Sequence, residues 1–201
     1  PPFNETQRTV IESAAAGASF TYASSAEVTD EAIAAADVIV GNLPPARLAL
    51  ARNLRLLQLN SAGHDAYAAP GAIPAGAALA NAVGAYGQAV SEHVFTMVLM
   101  LMKHLDGYRD DQRARRWTDR GPVTTMAGAQ VLVLGAGDIG QHFAQLAHAH
   151  GAHVQGVRRN LGAVPDGFES IHAMDELPKL LPKADVIAAF LPSSPATRGL
   201  V

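Results

Sequence analysis

Six residues, "GAGDIG" at 135–140, carry the clearest chemical signal in the chain. They follow four apolar residues, "VLVL" at 131–134, and precede "QHFAQLAHAH" at 141–150, which has helical periodicity. Strand, glycine turn and helix in that order make a cradle for a dinucleotide pyrophosphate. Gly135 suits the tight turn, Gly137 leaves the backbone open to the phosphates, and Gly140 lets the helix lie close on the strand. The helix N-terminus offers unpaired N–H groups and the positive end of its dipole. Asp138 and Ile139 fall among the phosphate-facing residues. The Asp138 carboxylate is expected to point outward, because phosphate repels it and the helix N-terminus favours its charge. The alternative is a purely structural turn.

A second signal follows the next strand, "HVQGV" at 153–157. A site for NAD places an acid there, about 20 residues past the turn, to hold the ribose 2′-hydroxyl. This chain has Arg158, with Arg159 beside it. A guanidinium binds a 2′-phosphate bidentately where a carboxylate repels it. The expected cofactor is therefore NADP, with NAD as the alternative; two ordinary exposed arginines at a strand end are the bland reading.

The remaining reactive side chains give weaker signals. His64, in the loop "SAGHDAY" at 61–67, is either a proton-transfer candidate or a histidine that shapes a pocket. His93 is expected to pack, with Glu92 as a neighbour. His142, His148, His150 and His153 cluster along one helix and the next strand. The pairs 142/148 and 148/150 share no helix face, so no metal site is expected. Arg109, Arg113, Arg115 and Arg116 alternate with Asp106, Asp110, Asp111 and Asp119, which reads as a salt-bridged, solvated helix anchored by the packing of Trp117. Ser193, Ser194 and Pro195 form a turn before Thr197, and no base stands near to activate a serine there.

The elements that must position these groups alternate. Helices are expected over 4–17, 29–36 and 44–51, and strands over 18–24, 37–41 and 54–60. A Gly-, Pro- and Ala-rich stretch at 69–87 reads as a linker containing a short extended piece, "AALAN". One long helix is expected from Gln88 to Tyr108, apolar on every side and so buried all round. After the glycine turn come a helix broken at its prolines over 173–184 and a strand over 185–192. Repeated strand–helix–strand order means parallel α/β sheets.

Bulk properties narrow the class. The chain has 201 residues, 49% hydrophobic, with a formal net charge of −3. Nucleic acid and anionic membrane are not expected partners, since no basic field exists to draw them. There is no cysteine, which excludes disulfides and thiol catalysis and fits a cytoplasmic protein. The longest apolar run, at 94–102, is too short to span a bilayer.

With these residues in place, the chain resembles the D-isomer-specific 2-hydroxyacid dehydrogenases. "LQLNSAGHDAY" is similar to the substrate-side loop of that family, "NAVGAYGQAVSEHVFTMVLML" to its hinge and first long helix, "VLVLGAGDIG" to its cofactor turn, and "ADVIAAFLPSSPATRGLV" to the strand and loop beside the nicotinamide. The resemblance implies two doubly wound parallel-sheet domains: a flavodoxin-like substrate domain over 1–82, lacking its first strand, and a Rossmann dinucleotide-binding domain over 83–201. It implies an oxidoreductase that moves a hydride between NADPH or NADH and a small 2-keto acid or D-2-hydroxy acid; the small, partly polar loop "SAGHDAY" fits a short substrate such as glyoxylate or hydroxypyruvate. It also implies a homodimer formed through the helix near 88–108. The backbone N–H groups of Ala62 and Gly63 then face the substrate carboxylate, with Ser61 and His64 alongside. Asp138 and Ile139 lie against the pyrophosphate, Leu191 and Pro192 line the cofactor, and Thr197 closes the loop over it. The catalytic arginine, acid and histidine of the family follow the segment matching "TRGLV" and are expected beyond Val201, which makes these residues a fragment inactive alone. The alternative is a non-enzymatic dinucleotide sensor or dimerisation module.

Overall fold

The computed structural model describes residues 3–194 and 196–200; Pro195, expected in the turn before Thr197, lies outside them. The chain divides after Val83 into two compact units, each built on its own parallel sheet.

The first unit has strands β1 (Val38–Val40), β2 (Leu56–Gln58) and β3 (Ala78–Ala80), hydrogen-bonded in the order β1-β2-β3. Leu56 sits opposite Val38 on one side and Ala78 on the other. Helices α1 (Glu5–Ala14), α2 (Asp30–Ala35), α3 (Pro45–Leu48) and α4 (Asp65–Ala68) connect and flank them. Their starts follow local chemistry. Asn4 and Gln7 form a reciprocal capping box on α1, the Thr29 hydroxyl accepts from the Ala32 N–H, and α3 opens on a proline. Ile33, Leu48, Leu57 and Leu59 form the centre of this unit's core. The strand expected over 18–24 does not form. Phe20 and Tyr22 stack nearly parallel at 6.2 Å, and the Arg8 guanidinium lies 4.4 Å over the Tyr22 ring, so contacts with α1 replace a strand ladder. The loop expected over 61–67 is also partly helical, since α4 begins at Asp65.

The second unit contains α5 (Gly87–Met102), α6 (Leu105–Arg113), β4 (Gln130–Leu134), α7 (Asp138–Ala149), β5 (His153–Val157), β6 (Ser170–His172), α8 (Leu177–Leu180) and β7 (Val186–Ala189). Its sheet runs β6-β5-β4-β7, all parallel. Alternation along the strands feeds two cores. Val131, Val133 and Val154 meet Phe143, Ala144 and Phe95 on one face, while Leu132, Leu134 and Val157 meet Leu177 and Leu180 on the other. The sheet is thus covered on both faces. The chain leaves β4 towards β5 and β6, then returns to β7 on the opposite side of β4. That reversal opens a crevice at the carboxyl ends of the strands, where open α/β sheets bind ligands.

The expected single helix over 88–108 is two helices. His104 adopts a left-handed conformation, φ 55°, between α5 and α6. Contacts distant in sequence hold the break. Lys103 Nζ donates to the Thr124 carbonyl at 2.6 Å, and the His104 ring lies 3.1 Å from the Pro122 carbonyl. Nor is α5 buried all round. Ser91 and Phe95 face inward, whereas Met97 and Leu101 are 46% and 60% exposed.

The charged stretch that follows departs from a solvated helix at one residue. The Asp111 side chain is only 4% exposed, and it accepts from Arg120 Nε at 2.7 Å and Arg116 Nη2 at 3.0 Å. Gly107 makes this possible, because a Cβ there falls 2.5 Å from the Arg120 guanidinium that crosses it. Trp117, expected to pack, is fully exposed; ion pairs rather than the indole hold residues 114–121 in place. The hydrogen bond from Arg120, with the charges of both arginines, keeps the Asp111 carboxyl below its ordinary value of 3.8 against the opposing effect of burial. A depressed folded-state pKa stabilises the fold fully above the unfolded value, and that stability disappears as pH falls through the folded one. Asp111→Asn is therefore expected to lower Tm by several degrees at pH 7 and to flatten the acid-unfolding curve below about pH 4, measured by circular dichroism. An unchanged acid limb removes the ion pairs as its cause.

Candidate functional site

The glycine turn leaves the sheet at the end of β4. Gly135 has φ +94°, and its N–H donates to the Val157 carbonyl at 2.8 Å, tying the turn to β5. A Cβ on Gly135 falls 2.7 Å from the Phe190 carbonyl oxygen, and one on Gly140 strikes the Gly135 carbonyl oxygen. Both glycines are therefore required by packing. Gly137 differs: among the described residues, a Cβ there meets nothing within 4 Å. It is the N-cap of α7 and supplies no side-chain cap, so the first-turn N–H groups of Asp138, Ile139 and Gly140 have no helical partner. The space beside Gly137, with these donors around it, fits a pyrophosphate. The helix starts at Asp138, so the turn proper is three residues, not six.

The Asp138 carboxylate lies against α5. Its Oδ2 stands 2.8 Å from the place a Gly87 Cβ would take, and its Oδ1 is 3.6 Å from His142 Nδ1. His142 Nδ1 is also 2.9 Å from the Asp138 carbonyl oxygen.

Arg158 and Arg159 follow β5 directly. Arg158 is half-buried; its N–H donates to the His172 carbonyl at 3.1 Å, and its Nη2 donates to the Ala163 carbonyl at 2.8 Å, which folds residues 159–163 back on the strand end. Its Nε is buried and, among the described residues, has no partner. Arg159 is exposed. A guanidinium held at this strand end by its bond to the Ala163 carbonyl fits an anionic acceptor there.

At the end of β7, Leu191 packs near Gly135, with its Cδ2 3.2 Å from that residue's Cβ position. Pro192 is exposed beside it. The Thr197 hydroxyl donates to the Pro192 carbonyl at 2.6 Å and accepts from the Ser194 N–H at 3.0 Å, so it closes this loop on itself. These groups, the glycine turn and the two arginines all stand at the carboxyl edge of one sheet, beside its reversal.

In the first unit, the loop after β2 carries Ser61, Ala62, Gly63 and His64. Two asparagines, each just past a neighbouring strand, frame it. Asn42 Nδ2 donates to Ser61 Oγ at 2.9 Å, and its Oδ1 accepts from the Asn60 N–H at 2.8 Å. Asn81 Nδ2 donates to the Ala62 carbonyl at 2.9 Å and lies 3.4 Å from His64 Nδ1. An amide donor at Nδ1 assigns the proton of the neutral imidazole to Nε2. Ser61 Oγ donates to the Gly63 carbonyl at 2.7 Å. Among the described residues, the N–H groups of Ala62 and Gly63 have no acceptor. Two free, adjacent donors on a braced loop are what a carboxylate needs. Asn42 and Asn81 escape sequence reasoning; the only signal for them is an asparagine placed just beyond a short apolar run.

Among the described residues, no group of three or more His, Asp or Glu converges as metal ligands. His150 stacks on Phe95 with centroids 4.7 Å apart, and His153 pairs with Glu169 at 2.8 Å, so these two rings are engaged separately. No described helix is long and apolar enough to cross a membrane.

Comparison with known proteins agrees with this geometry. The family model for the D-isomer specific 2-hydroxyacid dehydrogenase, NAD binding domain, matches residues 95–201, more than half of the chain. Glyoxylate/hydroxypyruvate reductase A of Photorhabdus laumondii is 32% identical over 133 residues, 66% of this chain and 42% of that protein. A D-isomer specific 2-hydroxyacid dehydrogenase family protein from Aeromonas salmonicida superposes with a TM-score of 0.75 at 34% identity, over 85% of this chain and 55% of that one. The NADPH-dependent glyoxylate/hydroxypyruvate reductase of Sinorhizobium meliloti, solved with NADP and sulfate, superposes at 0.69 with 26% identity, over 82% of this chain and 52% of that one. The chain thus spans about half the length of the relatives it matches. With a doubly covered parallel sheet, a glycine turn at its reversal and a family match across that whole region, the chain belongs to the D-isomer specific 2-hydroxyacid dehydrogenases.

Proposed function

We propose that the chain is the dinucleotide-binding and substrate-loop part of an NADPH-preferring reductase of small 2-keto acids, of glyoxylate/hydroxypyruvate type. The observation that carries the cofactor choice is Arg158, a guanidinium held at the strand end where an NAD site places an acid. Relatives support the choice: the Sinorhizobium meliloti reductase binds NADP, and a Xanthobacter autotrophicus member of the family, 26% identical, was solved with NADPH.

In this reading the first turn of α7 and the open face of Gly137 hold the pyrophosphate. The Arg158 guanidinium would meet the 2′-phosphate, and Arg159 would add charge from outside. Leu191 and Pro192 give the cofactor an apolar wall, and Thr197 keeps their loop closed. When bound, the cofactor would supply a hydride to the carbonyl carbon of the substrate, whose oxygen takes up a proton as the C=O π bond opens. The N–H groups of Ala62 and Gly63 orient the substrate carboxylate, and Ser61 and His64 border it. The small side chains of "SAG" at 61–63 suit a short keto acid. A homodimer is part of the reading, because Met97, Leu101 and Leu105 leave apolar surface exposed on α5 and α6; sedimentation equilibrium tests it, and a monomer at micromolar concentration rejects it.

The deciding experiment titrates the protein, at its full natural length, with NADPH and NADH. It then screens glyoxylate, hydroxypyruvate and longer 2-keto acids by loss of nicotinamide absorbance. Failure to bind either dinucleotide removes the proposal. Binding without reduction of any 2-keto acid leaves a cofactor-binding module instead.

A further inference from the structure

The geometry points to His142 and Gly87 as positioning residues that turn the Asp138 carboxylate away from the phosphate site. This rests on the dinucleotide reading above. A carboxylate at the first position of α7 stands among the donors that receive a pyrophosphate, and left free it opposes binding by charge repulsion. Three observations show how the chain directs it elsewhere. First, His142 lies one helical turn on, and helical side chains lean towards the N-terminus, so its ring covers Asp138. Its Nδ1 is 3.6 Å from Oδ1 and 2.9 Å from the Asp138 carbonyl oxygen. Second, residue 87 is glycine. A Cβ there falls 2.5 Å from His142 Nδ1, 2.6 Å from Cε1 and 2.8 Å from Asp138 Oδ2. The first turn of α5 is therefore cut away where the imidazole and the carboxylate rest. Third, α5 begins without a side-chain cap at Tyr86, and the positive end of its dipole lies at the same first turn that the carboxylate rests against. The acid rests against the first turn of α5, and the first turn of α7 keeps its donors for phosphate.

The test is a binding cycle on the whole chain, reading Kd for NADPH and NADH by nicotinamide fluorescence, with Tm recorded for each variant. His142→Ala is expected to weaken both cofactors alike by about fivefold, since it releases the carboxylate without touching the 2′-phosphate end. Gly87→Ala is expected to shift them in the same direction, by displacing the imidazole. Asp138→Asn alone is expected to tighten both cofactors, since it removes the charge and keeps the backbone N–H, and Asp138→Asn combined with His142→Ala to return within about twofold of the parent. Rescue by the double variant separates charge placement from a packing defect, which a neutral residue at 138 does not repair. Unchanged affinity in His142→Ala, or a double variant as weak as the single one, overturns the inference. A parent protein that binds neither cofactor overturns the dinucleotide reading instead.

Discussion

Arg158→Ala is expected to weaken NADPH binding by about tenfold to a hundredfold while NADH binding changes less than about threefold. The range corresponds to one charge-assisted hydrogen bond to a dianion, worth roughly 1.5–3 kcal/mol. The NADH arm isolates the 2′-phosphate, since that group is the difference between the cofactors. Arg158 has a second duty that the control must address. Its Nη2 holds the Ala163 carbonyl at 2.8 Å, so alanine also loosens residues 159–163. A loosened turn weakens both cofactors together; a lost phosphate contact weakens one. Arg159→Ala, which removes an exposed guanidinium, is expected to cost NADPH only a few-fold. Equal affinity for both cofactors in the parent, unchanged in Arg158→Ala, rejects the assignment.

The two alanine substitutions at Gly137 and Gly140 are expected to fail in opposite ways. Gly140→Ala pushes a methyl into the Gly135 carbonyl oxygen and comes within 3.2 Å of Val133 Cγ1, between a helix and the strand beneath it. Neither neighbour yields without moving the turn, so a loss of about 2–3 kcal/mol is expected, seen as a lower urea midpoint. Gly137→Ala meets no atom within 4 Å, and its backbone, φ −91° and ψ −160°, is open to any residue. The midpoint is expected to hold within about 0.5 kcal/mol. Dinucleotide affinity, however, is expected to fall at least tenfold, because the methyl occupies the space assigned to phosphate. A Gly137→Ala protein that binds cofactor normally places the pyrophosphate elsewhere.

What was legible in the sequence depended on how local its cause is. The apolar runs of β4, β5 and β7 and the turn between β4 and α7 follow from residues within a few positions of one another, and they stand where they are expected. The break between α5 and α6 does not. Nothing near His104 demands a left-handed residue; the carbonyls of Pro122 and Thr124, about 20 positions away, hold it. The same applies to the substrate-side loop. Its residues were expected, but Asn42 and Asn81 become its frame only once β1, β2 and β3 are in register. The three-residue strand β6 is too short for a period to show, and pairing of Gln155 with Ser170 and of Val157 with His172 creates it. Asp111 looked like one acid among many, and only the path of Arg120 over Gly107 makes it the buried one.

The exposure of Trp117 has an optical consequence. It is the chain's single tryptophan, and water surrounds its indole in the folded state as it does in the unfolded chain. Intrinsic emission is therefore expected to stay red-shifted and nearly constant through a urea transition that circular dichroism registers in full. The same silence makes the indole a clean reporter of association: any blue shift in native buffer means that another surface has covered residue 117. Emission that moves with the dichroism transition contradicts the exposed placement.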